Sequence, residues 1–310
     1  MPDTGVKILT RSILKTVLYS DLFRYPLTPE EIFQRMETNH VTQQDVDQEL
    51  DSLVKAGILF RSERLHAIQN DPQLFDNRKA GNHLALKMMP RATKRAQLIY
   101  QFPFVRAVLI SGSLSKNYAN SESDVDFFIV TTQGRLWITR TLLAFFQKIF
   151  LLNSRKYFCI NYLVDESDLE IEERNIFTAT ELATLIPVCG CGTYMALMKA
   201  NSWVNQFLPN FRASSKPSTK DRGGLVKKSI EWVLSFPIFN SLERVFMNTT
   251  ARHWQSLHSK KYPSDQFRIA FKATPHVAKS HPDFHQKRVI ELFEKRVAEY
   301  FNHFQTTSNG

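Results

Sequence analysis

A chain of 310 residues with 43% hydrophobic and 23% charged side chains has the makeup of an ordinary soluble globular protein, with room for two modest domains or one large one. Cys159, Cys189 and Cys191 are too few and too clustered for a disulfide framework; with no signal peptide they read as reduced thiols in a cytoplasmic protein, and Cys189-x-Cys191, without a second pair or a spaced histidine, as inert. The net charge of +10 is uneven: −1 over residues 1–90 (11 Lys and Arg against 12 Asp and Glu), +2 over 91–210 (12 against 10) and +9 over 211–310 (17 against 8). The last third therefore attracts anions, whether a nucleotide, a nucleic acid, an acidic membrane surface or an acidic partner.

In chain order, Ile8, Ile13, Leu14, Val17, Leu18 and Leu22 recur at helical spacing up to Phe23, and Pro26 then breaks the run. Thr28-Pro29-Glu30-Glu31 supplies an N-cap, a first-turn proline and a capping-box glutamate for a second helix to about Met36. Thr42 opens a third helix, with Val46, Leu50, Leu53 and Val54 on one face, which Gly57 stops. Ile58–Phe60 and Leu65–Ile68 flank a charged turn and predict a two-stranded wing. Three helices and such a hairpin over residues 1–89 resemble a winged-helix domain. DNA binding by it is disfavoured, because the third helix carries Asp45, Asp47, Glu49 and Asp51 and no base before Lys55; phosphate contacts supply most of the affinity in such complexes.

A helix over Pro90–Gln101 leads to an apolar, β-branched strand at Val105–Ile110, a loop over 111–123 and a second strand at Val125–Val130. Gly134 to Leu152 reads as a helix; its most apolar run, Thr141–Leu152, is too short for a membrane span and is interrupted by Lys148. Tyr157–Val164 is a third strand. From Thr178 the pattern is helical, with breaks at Pro187, Pro209 and a polar linker over Ala213–Gly224. Leu225–Ser259, kinked at Pro237, and His285–Phe304 are the last helices. His281 and His285 stand i, i+4 and read as surface residues, since no third ligand is near in sequence. Trp232, Phe236, Phe239, Phe246 and Trp254 lie among the C-terminal cations, as a core stripe or as a stacking platform for nucleic-acid bases.

The chemistry sits in Gly112-Ser113, ten intervening residues, then Asp124-Val125-Asp126 and the apolar Phe127–Val130. Glycine lets the backbone approach a phosphate, the amides of a short helix beginning at Ser113 face that anion, and the Ser113 hydroxyl adds a donor. Side chains two apart on a strand share a face, so Asp124 and Asp126 converge on one spot. Two carboxylates with substrate phosphates suit Mg²⁺. Lys116 stands where it meets a phosphate or lies solvated. No GxxxxGK[ST], GxGxxG or GxSxG motif occurs, which argues against P-loop, dinucleotide-cofactor and hydrolase readings.

On these residues the chain resembles the DNA polymerase beta-like nucleotidyltransferase superfamily, over about residues 90–170. The resemblance implies a nucleotidyltransferase-type mixed α/β sheet flanked by helices over 90–173, followed by a helical, basic region over 174–310. It implies Mg²⁺ (or Mn²⁺) on Asp124 and Asp126, and a nucleoside triphosphate on Gly112 and Ser113, beside which Lys116 is the candidate phosphate cation. The reaction implied is transfer of a nucleoside monophosphate to a hydroxyl acceptor with release of pyrophosphate. The family's third acid, on the next strand, is matched by the neutral Asn161; Asp165, Glu166 and Asp168 at that strand's end are the substitutes available. A relic of the fold that binds or regulates without catalysis, associated with a polyanion through residues 211–310, is the alternative implied.

Overall fold

A computed structural model describes residues 2–152, 156–213, 223–260, 262, 267, 270–280 and 285–307. The spacing of leucines and isoleucines at the start of the chain builds α1 (Pro2–Asp21), α2 (Pro29–Arg35) and α3 (Gln43–Lys55). Thr28 and Glu31 cap α2 reciprocally, at 3.0 and 3.3 Å, and Thr42 and Asp45 do the same for α3. Both devices occupy backbone amides that a helix start leaves unpaired. Ile13, Leu14 and Val17 of α1, Ile32 of α2, and Val46, Leu50 and Leu53 of α3 enclose one small core. A hairpin, β1 (Phe60–Ser62) and β2 (Leu65–Ala67), follows, and β2 bridges back to Leu27 through His66.

The next helix does not start at Pro90. It is α4 (Pro72–Tyr100), capped by Asp71 and continuous through Pro90, so a boundary at residue 89/90 falls inside a helix. Proline deprives the carbonyl four residues back of its partner; that residue, Leu86, is exposed, so water can serve instead. The helical periodicity on both sides of Pro90 therefore outweighs the break.

A six-stranded mixed sheet lies at the centre, in the order β6-β3-β4-β5-β8-β7, built of β3 (Val105–Ser111), β4 (Asp126–Thr131), β5 (Cys159–Asp165), β6 (Ile186–Cys189), β7 (Phe271–Ala273) and β8 (Val277–Ser280). Only β4 and β5 run parallel, joined through α6 (Leu136–Phe150). Helices cover both faces. Val108, Ile110, Phe127 and Ile129 pack with α4, α6 and α11 (Asn240–His258), while Ala107, Leu109, Phe128 and Val130 pack with α7 (Ile176–Ala183), α8 (Cys191–Ala200) and α9 (Val204–Phe207). Burial on both faces is why Ala107–Ile110 and Phe127–Val130 read as unbroken apolar runs instead of alternating ones.

Residues 174–310 are not wholly helical. Three strands, β6, β7 and β8, come from them. Pro187, expected to break a helix, sits within β6 opposite Leu109; β6 is an edge strand with β3 as its one neighbour, where a missing N–H is tolerated. The long helix expected over Leu225–Ser259 is divided into α10 (Leu225–Leu234), a 3-10 turn at Pro237–Phe239, and α11. The aromatic set splits: Trp254 is buried and Phe246 packs on the core, whereas Trp232 and Phe236 are exposed. The last helix, α12 (His285–Thr307), returns to α1, where Arg296 pairs with Asp21 at 3.0 Å and Tyr19 meets Phe293 edge-on at 5.2 Å. Part of the basic last third thus packs on the N-terminal helices. Most of the linker (214–222) and the His281/His285 side-chain pair lie outside the described residues.

Candidate active site

The end of β3 and the starts of β4 and β5 meet at one edge of the sheet, because Ser111 pairs with Asp126 and Asp126 with Cys159. Here β3 passes directly into α5 (Gly112–Ser115), a single helical turn. Gly112 has φ +69°, and a Cβ built on it would overlap Asp126 Oδ2. Glycine is required twice over, for the left-handed backbone and for the close approach of a carboxylate.

Asp124 precedes β4 and Asp126 opens it. Both line a cleft of about 640 Å³, together with Ser111, Gly112, Ser113, Lys116 and Asn161. That volume is typical of small-ligand sites. Period-two alternation places Asp126 on the same face as Phe128, above which α7 lies. Phe128 and Tyr162 stack at 5.0 Å and form part of the floor. The roof is the N-terminal unit: Tyr19, Ser20 and Phe23 at the end of α1, Tyr25, and Arg35 of α2.

Asn161 reaches the cleft through an irregularity in β5. The pairing steps from Phe127–Ile160 to Phe128–Tyr162, so Asn161 is an extra residue in the ladder. Such a bulge re-aims a side chain, and this one brings Asn161 Nδ2 to donate to Asp126 Oδ1 at 2.5 Å, while the Cys159 thiol donates to Asn161 Oδ1 at 3.1 Å. Lys116 folds back over the turn, donating to the Gly112 carbonyl at 3.1 Å and pairing with Glu181 of α7 at 2.8 Å.

Asp165, Glu166 and Asp168, the acids expected as substitutes for a third carboxylate, do not line the cleft, which corrects that expectation. Asp165 stands opposite Thr131, whereas Asp126 faces Cys159; five residue steps separate the two, about 16 Å along a strand. Asp165 is fully buried and engaged by Ser167, by the Gly134 amide and by His276 Nδ1 at 2.9 Å. Its role is to fix the turn beyond β5. Among the described residues, no group of three or more His, Cys, Asp and Glu side chains is placed to hold a metal ion.

Electrostatically the cleft is an acidic point with cations at its margin. Burial pushes the Asp126 carboxyl up to about 6; Asp124 and Glu181 add to the rise, while the Cys159 thiol and Lys116 oppose it. A carboxylate so poorly compensated suits a cation. Two carboxylates and a ligand phosphate also match the way Mg²⁺ binds, through one or two acids plus phosphate oxygens. On the far wall, burial works against the charge of Glu173, but Lys279 of β8 at 3.2 Å outweighs it and holds that carboxyl low.

Sequence reasoning named Gly112, Ser113, Lys116, Asp124, Asp126 and Asn161, and these six share one cleft. It missed Glu181, Glu173, Lys279, Arg35 and the aromatic roof. These come from elements distant in the chain, and no spacing ties them to the motif. No family model matches this chain, and no curated protein or solved structure matches it.

Proposed function

We propose that this protein is a metal-dependent nucleotidyltransferase, of the DNA polymerase beta-like kind, carrying a winged-helix-like unit on its N-terminal side. The observation that carries the reading is the apposition of Gly112 and Asp126. A strand–glycine turn that leaves no room for a side chain next to a partly buried, poorly compensated carboxylate is what phosphate-and-cation binding needs, and a simple loop does not need it.

In this reading Asp124 and Asp126 hold Mg²⁺ or Mn²⁺, and the Gly112–Ser113 backbone and the Ser113 hydroxyl hold the triphosphate. Lys116, now shared between Gly112 and Glu181, supplies a cation beside it. The metal, when bound, stabilises charge on the phosphoryl oxygens. Asn161 orients Asp126 through its amide N–H, leaving that carboxylate's other oxygen toward Gly112. The roof residues Tyr19, Phe23 and Tyr25 keep water from the floor of the cleft. The chemistry is transfer of a nucleoside monophosphate to a hydroxyl acceptor with loss of pyrophosphate.

A second reading, a nucleotide-binding protein without catalysis, is favoured by one observation: Asn161 is neutral, and none of Asp165, Glu166 and Asp168 lines the cleft. Incubating the protein with each labelled nucleoside triphosphate, Mg²⁺ and cell extract separates the two. Transferase activity predicts label on an acceptor and free pyrophosphate, both abolished by Asp124→Ala. Metal-dependent nucleotide binding without pyrophosphate would support the second reading, and no metal-dependent nucleotide binding would sink both. Asn161→Asp adds a carboxylate beside Asp126, so the variant should gain more thermal stability from Mg²⁺ than the parent does.

A further inference from the structure

α10 is amphipathic in the reverse sense. Its inward residues are Lys227, whose Nζ donates to the Tyr100 and Val105 carbonyls at 2.7 Å each, and Glu231, which accepts from the Phe104 amide at 2.6 Å and pairs with Arg106 at 2.9 Å. Its outward residues are apolar: Leu225 is 82% exposed, Val226 73% and Trp232 69%, and Phe236 and Ile238 extend the face past the helix end. A surface helix normally points its apolar stripe at the core, and so many large exposed apolar side chains on about four turns mark a docking face.

The charges of the segment that carries that face identify its occupant. Residues 223–260 contain two acids, Glu231 and Glu243. Both turn inward, Glu231 as above and Glu243 onto the Trp137 and Ile138 amides at 2.8 and 2.9 Å. The cations Lys228, Arg244, Arg252 and Lys260 are exposed, and Lys228 stands one turn before Trp232. We infer that this face docks on an anionic lipid surface, with Leu225, Val226, Trp232 and Phe236 entering the acyl boundary and Lys228 meeting the headgroups. Apolar side chains with a tryptophan, flanked by cations, are the composition of helices that lie in a membrane interface. No described helix is long and apolar enough to cross a bilayer, and interfacial docking needs none. A second copy of the chain fits poorly, since two such faces would oppose like charges, and both acids of residues 223–260 already turn inward. Nucleic acid fits poorly too, because Leu225, Val226 and Ile238 neither stack nor hydrogen-bond.

The face lies at the Val105 end of β3 and the cleft at its Ser111 end, about 20 Å apart along the strand. A docked molecule would therefore hold its cleft toward the aqueous side.

Trp232 is a built-in reporter, since Trp137, Trp203 and Trp254 are buried. The full-length protein should sediment with phosphatidylcholine vesicles containing phosphatidylglycerol and not with phosphatidylcholine alone. Its tryptophan emission should shift to the blue on binding, and the binding should weaken with salt. Lys228→Ala should lower partitioning about fivefold, and Trp232→Ser with Phe236→Ser about tenfold or more, with circular dichroism and metal-dependent nucleotide binding unchanged. Absence of sedimentation with anionic vesicles at low salt would overturn the proposal. So would undiminished binding by the folded double variant. A blue shift that follows protein concentration would assign the face to a second copy, and one that follows added single-stranded RNA would assign it to nucleic acid; either overturns the lipid assignment.

Discussion

Asp126 has its carboxylate where the side chain of any residue other than glycine at 112 would have to go. Gly112→Ala therefore meets two penalties, the left-handed backbone at about 1–2 kcal/mol and the overlap with Oδ2. Gly57 isolates the first, because it has φ +71° and nothing within 4 Å of an added Cβ. Gly57→Ala should lower stability by about 1–2 kcal/mol in a urea titration and leave the proposed Mg²⁺-dependent nucleotide binding intact. Gly112→Ala should cost more and abolish that binding, because the carboxylate has to move. Equal effects of the two substitutions on binding would show that contact with Asp126 is irrelevant to it. At this scale the site was legible where its parts are local. Glycine-serine, ten residues and Asp-x-Asp bridge the end of one strand and the start of its antiparallel neighbour, so chain spacing stands in for distance. Asn161 was legible as a middle residue of the next strand. The bulge that turns it toward Asp126 was not, because nothing in Phe158–Val164 marks an extra residue.

Elements were legible in proportion to how much of their own burial they advertise. β3, β4 and β5 are apolar enough to be read directly. β7 and β8 are three and four residues long and hold lysines, Lys272 and Lys279, whose pairing with Glu172 and Glu173 depends on the finished fold. In α10 apolar periodicity locates the helix but not its inward face, which Lys227 and Glu231 occupy. Its inward lysine has a testable consequence. Burial brings the Lys227 ammonium down to about 8, despite the favourable influence of Glu231. An amine whose pKa is depressed on folding carries its penalty in full below the folded value. The penalty is relieved as pH rises toward the unfolded value near 10.4, because the unfolded chain binds the extra proton over that interval. Stability should therefore gain from this group as pH climbs from about 8 to 10. Lys227→Met, which keeps the stem and removes the charge, should lose that gain. An identical pH slope in parent and variant would show that the ammonium is not the group responsible.

Across the whole molecule, one arginine joins the N-terminal helices to the edge of the sheet that carries the cleft. Arg78 of α4 is 3% exposed. Its Nη2 donates to both Glu31 oxygens at 2.9 and 3.0 Å, its Nε to the Pro26 carbonyl at 3.0 Å, and its guanidinium lies 3.8 Å from the Tyr25 ring centroid. Tyr25 in turn hydrogen-bonds the Lys116 carbonyl and meets Tyr118 edge-on, while the close approach of Tyr118 to Gly81 seats the loop after α5 on α4. A chain of contacts thus runs from the α2 cap through Arg78 and Tyr25 to the turn holding Gly112. Beyond the α2 cap none of it is visible in the sequence, since Arg78 reads as one more charged residue and its partners lie 47 to 53 positions away. Removing one member of a buried ion pair costs about 3–5 kcal/mol. Arg78→Met should fall at the lower end, because Glu31 keeps some solvent and has Arg35 at 3.5 Å. Arg78→Lys should recover only part of the loss, since an ammonium cannot reproduce the fork on Glu31 and the bond to Pro26 together. If the contacts make one cooperative body, Arg78→Met will lower a single unfolding transition and weaken the proposed nucleotide binding in parallel, the roof and the Gly112 turn loosening together. A two-step transition in which the later step is unshifted, with nucleotide binding retained, would mean that the N-terminal helices fold and melt as a separate unit and that the cleft does not depend on them.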